Sequence, residues 1–131
     1  MKRILTYQIY PSIPKPLNFL EVLSRDLWWC WKQDAITLFR RVEPQVWIES
    51  RGNPIYLLSH VSQARLEELA KDDSFLAHLH RVKDRYRKRV VENVEPPTSL
   101  YENMGPVVYF SMEFGVNENI PIFAGGLGVL A

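Results

Sequence analysis

Residues 17–31 read LNFLEVLSRDLWWCW, and this stretch decides the fold class of the first part of the chain. Its large apolar side chains recur at three- and four-residue spacing, which predicts one buried stripe on an amphipathic helix. The predicted stripe comprises Phe19, Leu20, Leu23, Leu27, Trp28 and Trp31, with Cys30 beside it. The first part of the chain is therefore predicted to be helical.

Further helices are predicted downstream of this stretch. One begins near Asp34, and residues 46–48 form a short helix or turn. Residues 52–54 (Gly-Asn-Pro) are typical of a turn, and Ser62 is a predicted N-cap of a short helix. The last helix is predicted to run from about residue 75 to residue 91.

Proline and glycine positions divide the chain into three segments. Pro11, Pro14 and Pro16 predict an extended arm over residues 1–16, followed by a helical domain over residues 17–95. The stretch Glu95-Pro96-Pro97 ends that domain. Residues 96–131 are predicted to open a second, α/β domain.

The second domain is predicted from the order of its segments. Residues 107–110 (VVYF) are a short apolar run typical of a buried strand, and a loop leads from them to a glycine-rich turn at residues 125–128. A strand, a loop, a glycine turn and a helix start are the order of a phosphate-binding βα unit. Residues 129–131 are too few for the expected helix. We therefore expect the chain to be the front part of a larger, Rossmann-like protein.

The glycine-rich turn is the best candidate binding site in the sequence. Gly125, Gly126, Leu127 and Gly128 are predicted to bring backbone N–H groups close to an anion, because glycine leaves no Cβ in the way. A purely structural turn is the alternative. Glu113, in the loop after the strand, is a possible supporting residue, although pairing with a backbone amide or an arginine is the simpler interpretation.

Composition excludes several classes of function. The 131 residues carry a net charge of +1, so bulk charge indicates no nucleic-acid partner. Cys30 is the only cysteine, which excludes an internal disulfide and a cysteine zinc site. No apolar run approaches the roughly 20 residues of a membrane helix, so we expect a soluble, cytoplasmic protein without membrane association.

The aromatic, basic and histidine residues have structural interpretations that compete with binding roles. Trp28 and Trp31 are predicted to lie in the core, although tryptophans also stack on sugars, and Trp29 is predicted to point elsewhere, at a possible interface. His78 and His80 face different sides of a helix and predict no metal site. A solvated helix face is the preferred interpretation of Arg81, Lys83, Arg85, Arg87, Lys88 and Arg89.

Two groups of motifs resemble the amino-terminal part of bacterial and archaeal α-glucan (glycogen/maltodextrin) phosphorylases, including their helical extension. They are residues 108–115 (VYFSMEFG) with residues 121–131 (PIFAGGLGVLA), and residues 27–31 (LWWCW) with 38–41 (LFRR) and Asn53-Pro54 before 57–59 (LLS). The resemblance covers nearly the whole chain from about Leu17.

The resemblance implies phosphorolysis of α-1,4-glucan to glucose 1-phosphate in a cleft between two Rossmann-like domains, with pyridoxal phosphate as cofactor. It assigns contact with the substrate phosphate and glucose to Gly125, Gly126, Leu127 and Gly128. The family's cofactor lysine lies far downstream and is absent from these 131 residues. We therefore expect this chain alone to be catalytically incompetent. A glycogen or starch synthase-like transferase and a non-catalytic glucan-binding or interaction module are the alternatives.

Overall fold

The computed structural model describes residues 10–91 together with Val108 and Asn117, and the chain forms two compact units, Met1–Val82 and Lys83–Ala131. Within residues 10–91 every regular element is a helix, which confirms the mainly α prediction. The α-helices are α1 Phe19–Ser24, α2 Gln33–Val42, α3 Pro44–Glu49, α4 Pro54–His60, α5 Gln63–Leu69 and α6 Asp73–Tyr86. Two 3₁₀ helices, Lys15–Leu17 and Leu27–Trp31, flank α1, and a π-helical turn, Arg87–Val91, follows α6.

The helix predicted over residues 17–31 is interrupted, and this reverses the roles of two tryptophans. Asp26 has an extended backbone, and its side chain accepts a hydrogen bond from the Trp28 backbone N–H at 2.8 Å. A 3₁₀ helix with three residues per turn begins there, so the α-helical stripe does not continue. Trp29 is consequently buried at 5% exposure, whereas Trp31 is 71% exposed. The predictions of a buried Trp31 and an outward Trp29 were wrong.

The other positions of the predicted stripe differ before and after this interruption. Leu20 and Leu23 in α1 are fully buried, as predicted. Leu27 is 42% exposed, against the prediction, and Trp28 is half-buried. The α-helical period therefore describes α1 and fails at the break that Asp26 introduces.

Side-chain caps mark the starts of α4 and α5, and the second of these caps was predicted. The Asn53 side chain accepts hydrogen bonds from the backbone N–H groups of Ile55 and Tyr56, at 3.0 and 3.1 Å. Ser62 accepts from the Arg65 N–H at 3.2 Å, which confirms it as the N-cap of α5. Such side-chain bonds satisfy backbone donors that have no intrahelical partner, and they fix where each helix begins.

The end of α3 is a Schellman-type turn. The Gly52 N–H donates to the Trp47 carbonyl at 2.9 Å, and the Arg51 N–H donates to the Ile48 carbonyl at 3.0 Å. Arg51 has φ of 53° and Gly52 has φ of 77°, so both lie in the left-handed region. The turn therefore lies at residues 50–52, whereas Asn53 and Pro54, which were predicted to belong to it, are the N-cap and first residue of α4.

The core of the first unit is built around α2, which contacts α3, α5 and the second 3₁₀ helix. Its Phe39 stacks on Trp47 at a centroid distance of 5.9 Å and meets the edge of Trp29 at 5.7 Å. A carbonyl at the C-terminal end of α2 accepts a hydrogen bond from a residue far along the chain, since Arg65 Nε donates to the Val42 carbonyl at 3.0 Å. Packing against other helices and a tertiary side-chain cap therefore hold α2 in place.

Of the second unit, the structure describes residues 83–91, Val108 and Asn117. The predicted strand at residues 107–110 lies outside the described residues except for Val108, which is 64% exposed and in no regular element. The predicted boundary at Pro96-Pro97 also lies outside them. The α/β second domain therefore stays a prediction.

Candidate functional site

The predicted anion site cannot be assigned a geometry. Gly125, Gly126, Leu127, Gly128 and Glu113 all lie outside the described residues. Their roles stay predictions.

The main cluster of titratable side chains in the described part of the chain joins α2 to α6 around His78. His78 is 4% exposed, and its Nε2 lies 2.8 Å from Asp34 Oδ1 and 3.1 Å from the Asp34 carbonyl oxygen. Its Nδ1 lies 3.1 Å from Arg41 Nη1. Arg41 also donates to Ser74 Oγ at 3.2 Å, and its guanidinium lies over the Phe75 ring at 5.5 Å.

The hydrogen-bond partners of His78 indicate the tautomer of its neutral ring. Arginine can only donate hydrogen bonds, so His78 Nδ1 must accept and the proton must lie on Nε2, facing Asp34. Both ring nitrogens of a neutral imidazole are thus occupied by protein groups. A general base needs a nitrogen that can reach a substrate proton, and His78 offers none. The cluster around His78 is therefore structural.

Sequence reasoning identified His78 only as a histidine without a metal partner. The missed signal is its position: His78 is three residues after Phe75 and four before Val82, both fully buried. A polar side chain on a buried helix face needs a hydrogen-bond partner. The partners Asp34 and Arg41 lie 44 and 37 residues away in sequence, so local patterns did not indicate them.

Other candidate functions gain no support from the described residues. Within residues 10–91, Val108 and Asn117, no group of three or more His, Cys, Asp or Glu side chains is placed to hold a metal ion. In that same part of the chain, no helix has the length and apolarity to cross a membrane. The predicted basic face is confirmed as exposed, and it comprises Arg81, Lys83, Arg85, Arg87, Lys88 and Arg89.

Cys30 is a poor candidate nucleophile. Its Sγ donates to the Leu27 carbonyl at 2.8 Å. Burial raises the pKa of the Cys30 thiol, and a hydrogen bond from the backbone of Cys30 itself only partly offsets this effect. Because the thiolate is the reactive species, a raised pKa lowers reactivity at neutral pH.

Comparison with known proteins places the chain in a family. Residues 13–120 match the family described as "Protein of unknown function (DUF3417)". The chain belongs to this family. No solved structure shows a significant match.

Relatives of this DUF3417 chain are named maltodextrin phosphorylase or glycogen phosphorylase. It is 36% identical over 125 residues to a maltodextrin phosphorylase of Thermococcus litoralis, covering 95% of this chain and 15% of the relative. It is 34% identical over 137 residues to a glycogen phosphorylase of Mycobacterium tuberculosis, covering 100% of this chain and 16% of the relative. A glycogen phosphorylase of Aquifex aeolicus is 37% identical over 111 residues, or 83% of this chain and 15% of the relative.

These matches confirm the resemblance to the amino-terminal portion of a glycogen phosphorylase. The chain spans about one-sixth of the length of the curated relatives it matches, 15% of the Thermococcus litoralis protein and 16% of the Mycobacterium tuberculosis protein.

Proposed function

We propose that this chain is the amino-terminal part of an enzyme that phosphorolyses α-1,4-glucan to glucose 1-phosphate, and that its described helices form an accessory unit. The observation that carries the proposal is the identity of 34–37% to proteins named maltodextrin or glycogen phosphorylase. The accessory role is supported by the His78 cluster, whose ring nitrogens are occupied by Asp34 and Arg41.

The described residues do not fit the pyridoxal phosphate that such enzymes use. A lysine that binds this cofactor must be positioned and enclosed. All lysines in the described part of the chain are exposed: Lys15, Lys32, Lys71, Lys83 and Lys88. Cofactor binding is therefore proposed for the remainder of the enzyme, and the 131-residue chain alone is expected to be inactive.

The substrate contacts proposed for this chain are the backbone N–H groups of Gly125, Gly126, Leu127 and Gly128, with Glu113 in support. Backbone amides at a helix start bind phosphate because they carry partial positive charge and approach closely. In the full-length enzyme, Gly126→Val is expected to lower kcat/KM about a hundredfold, because the added side chain keeps the phosphate from the backbone N–H donors and so removes their stabilisation. The control variant His80→Ala lies on an exposed face of α6 and leaves the rate unchanged.

The experiment that tests the proposal compares the full-length enzyme with the 131-residue chain. Phosphate-dependent release of glucose 1-phosphate from glycogen, without added nucleotide, is expected from the full-length enzyme only. Activity that requires ADP-glucose or UDP-glucose would instead identify a synthase-like transferase. Phosphorolysis by the 131-residue chain alone would contradict the accessory role.

A further inference from the structure

A groove outside the His78 cluster separates the arm at residues 10–14 from α1 and α4. It encloses about 410 Å³, within the range of small-molecule sites. A second cavity of about 590 Å³ shares Tyr10, Pro11, Ser12 and Ser59 with it. Both cavities are therefore bordered by the arm and by Ser59 of α4.

The arm that forms one wall of this groove is held in place. The Ser12 backbone N–H donates to Gln63 Oε1 at 2.8 Å, which ties the arm to α5. On the opposite side, the buried Ser24 hydroxyl donates to the Glu21 carbonyl at 2.8 Å, within α1. Binding to walls that are already ordered costs less conformational entropy.

The polar groups of the groove are a matched donor and acceptor. Arg25 Nη2 lies 3.3 Å from Glu21 Oε1, and the two side chains are 73% and 57% exposed. An exposed pair of this kind contributes little to stability. It does present a guanidinium that donates and a carboxylate that accepts hydrogen bonds. Asn18 adds an amide to the same wall, and its side chain makes no capping bond to α1.

The apolar groups lie beside this pair. Tyr10 is 60% exposed and Ile55 is 58% exposed, and both line the groove. Tyrosine at a binding surface offers an apolar ring face and a polar hydroxyl. A ligand with alternating C–H faces and hydroxyl groups matches this arrangement.

We propose that this groove is an auxiliary binding site for a segment of α-1,4-glucan, with Tyr10 packing on a sugar face and the Glu21–Arg25 pair hydrogen-bonding sugar hydroxyls. The inference rests on the proposed function for its choice of glucan. The pair carries no net charge, so it favours a neutral polyhydroxylated ligand over an anion or a cation. The neighbouring cavity, which shares Tyr10, Pro11, Ser12 and Ser59, offers room for a further part of the same glucan chain.

The test titrates the 131-residue chain with maltoheptaose by calorimetry and measures its retardation in gels containing glycogen. Tyr10→Ala and Arg25→Ala are expected to weaken maltoheptaose binding at least fivefold each. The matched controls are Trp31→Ala, another exposed aromatic, and Arg40→Ala, another exposed arginine, neither of which lines the groove. Both controls are expected to bind as the wild type does. Circular dichroism of each variant checks that it is folded.

The inference is overturned by no binding by the wild type, by binding that Tyr10→Ala and Arg25→Ala leave intact, or by equal binding of cellohexaose, a β-linked glucan. Binding lost in Trp31→Ala alone would place the site elsewhere and also overturn it. The proposed function is refuted by different results from those that refute this inference. A full-length enzyme that needs a nucleotide sugar refutes phosphorolysis, whereas phosphorolysis without groove binding refutes only this inference.

Discussion

Removing the His78 side chain is expected to destabilise the first unit by about 3 kcal/mol. His78→Ala breaks the hydrogen bonds to Asp34 and from Arg41 and leaves a void where a 4%-exposed ring lay. Because Asp34 and Arg41 are partly exposed and rehydrate, each lost bond costs about 1 kcal/mol. Loss of the packed ring adds about 1 kcal/mol.

Urea denaturation of the 131-residue chain, followed by circular dichroism at 222 nm, measures this change. The midpoint is expected to fall by at least about 1 M at unchanged slope. The matched control is His80→Ala, an exposed histidine on the same helix, which should change the free energy of unfolding by less than about 0.5 kcal/mol. Equal effects of the two variants would refute the reasoning.

A double-mutant cycle isolates the bond between Asp34 and His78. The double variant Asp34→Ala/His78→Ala is expected to be less destabilised than the sum of its single variants, by about 1 kcal/mol. Strict additivity would show that the 2.8 Å contact carries no interaction energy.

Three further predictions follow from the packing and the local backbone. Trp29→Ala is expected to lower the free energy of unfolding by about 3–5 kcal/mol and Trp31→Ala by less than about 0.5 kcal/mol, because of these two side chains only Trp29 is buried. Urea denaturation measures both values, and equal costs would contradict the prediction. Arg51→Gly is expected to raise the free energy of unfolding by about 0.5–1 kcal/mol, because it relieves the backbone strain of a non-glycine residue with φ of 53°. Gly52→Ala is expected to lower it, because φ at this position is 77° and a Cβ would lie 3.2 Å from Trp47 Cζ2. Thermal melts with the reverse order would refute both expectations. Because burial raises the pKa of Cys30, iodoacetamide is expected to alkylate the folded chain more slowly than free cysteine at pH 8. The rate of alkylation of the folded chain is expected to increase as the pH rises. Equal rates for the chain and free cysteine at pH 8 would contradict this prediction.

Sequence-based prediction succeeded where the physical cause is local. Ser62 begins α5 as predicted, because its side chain reaches the backbone N–H group of Arg65, three residues away. Asn53 caps α4 in the same way, although only a turn was predicted at residues 52–54. Asp72 makes a local bond of the same kind, since it accepts from the Phe75 N–H at 3.1 Å. Family membership was also predictable from the sequence, because it rests on short sequence motifs.

Prediction of the core failed at residues 27–31 because two periods compete there. The α-helical spacing assigned Trp31 to the core, but the Asp26 cap starts a 3₁₀ helix and turns Trp29 inward instead. Aromatic packing then stabilises this choice, since Trp29 meets the edges of both Phe39 and Trp47. Local spacing cannot distinguish these alternatives, since the decisive contacts come from α2 and α3.

The sequence by itself determined the helical class, the start of α5 at Ser62 and the family of this protein, because capping bonds, amphipathic spacing and motifs are properties of neighbouring residues. The tertiary structure alone decided which groups meet across helices. The hydrogen bond between Asp34 and His78 spans 44 residues, and the Ser12–Gln63 contact that orders one wall of the groove spans 51. Such contacts depend on how α2, α5 and α6 pack. Packing energy is shared among many distant side chains, and no short segment encodes it.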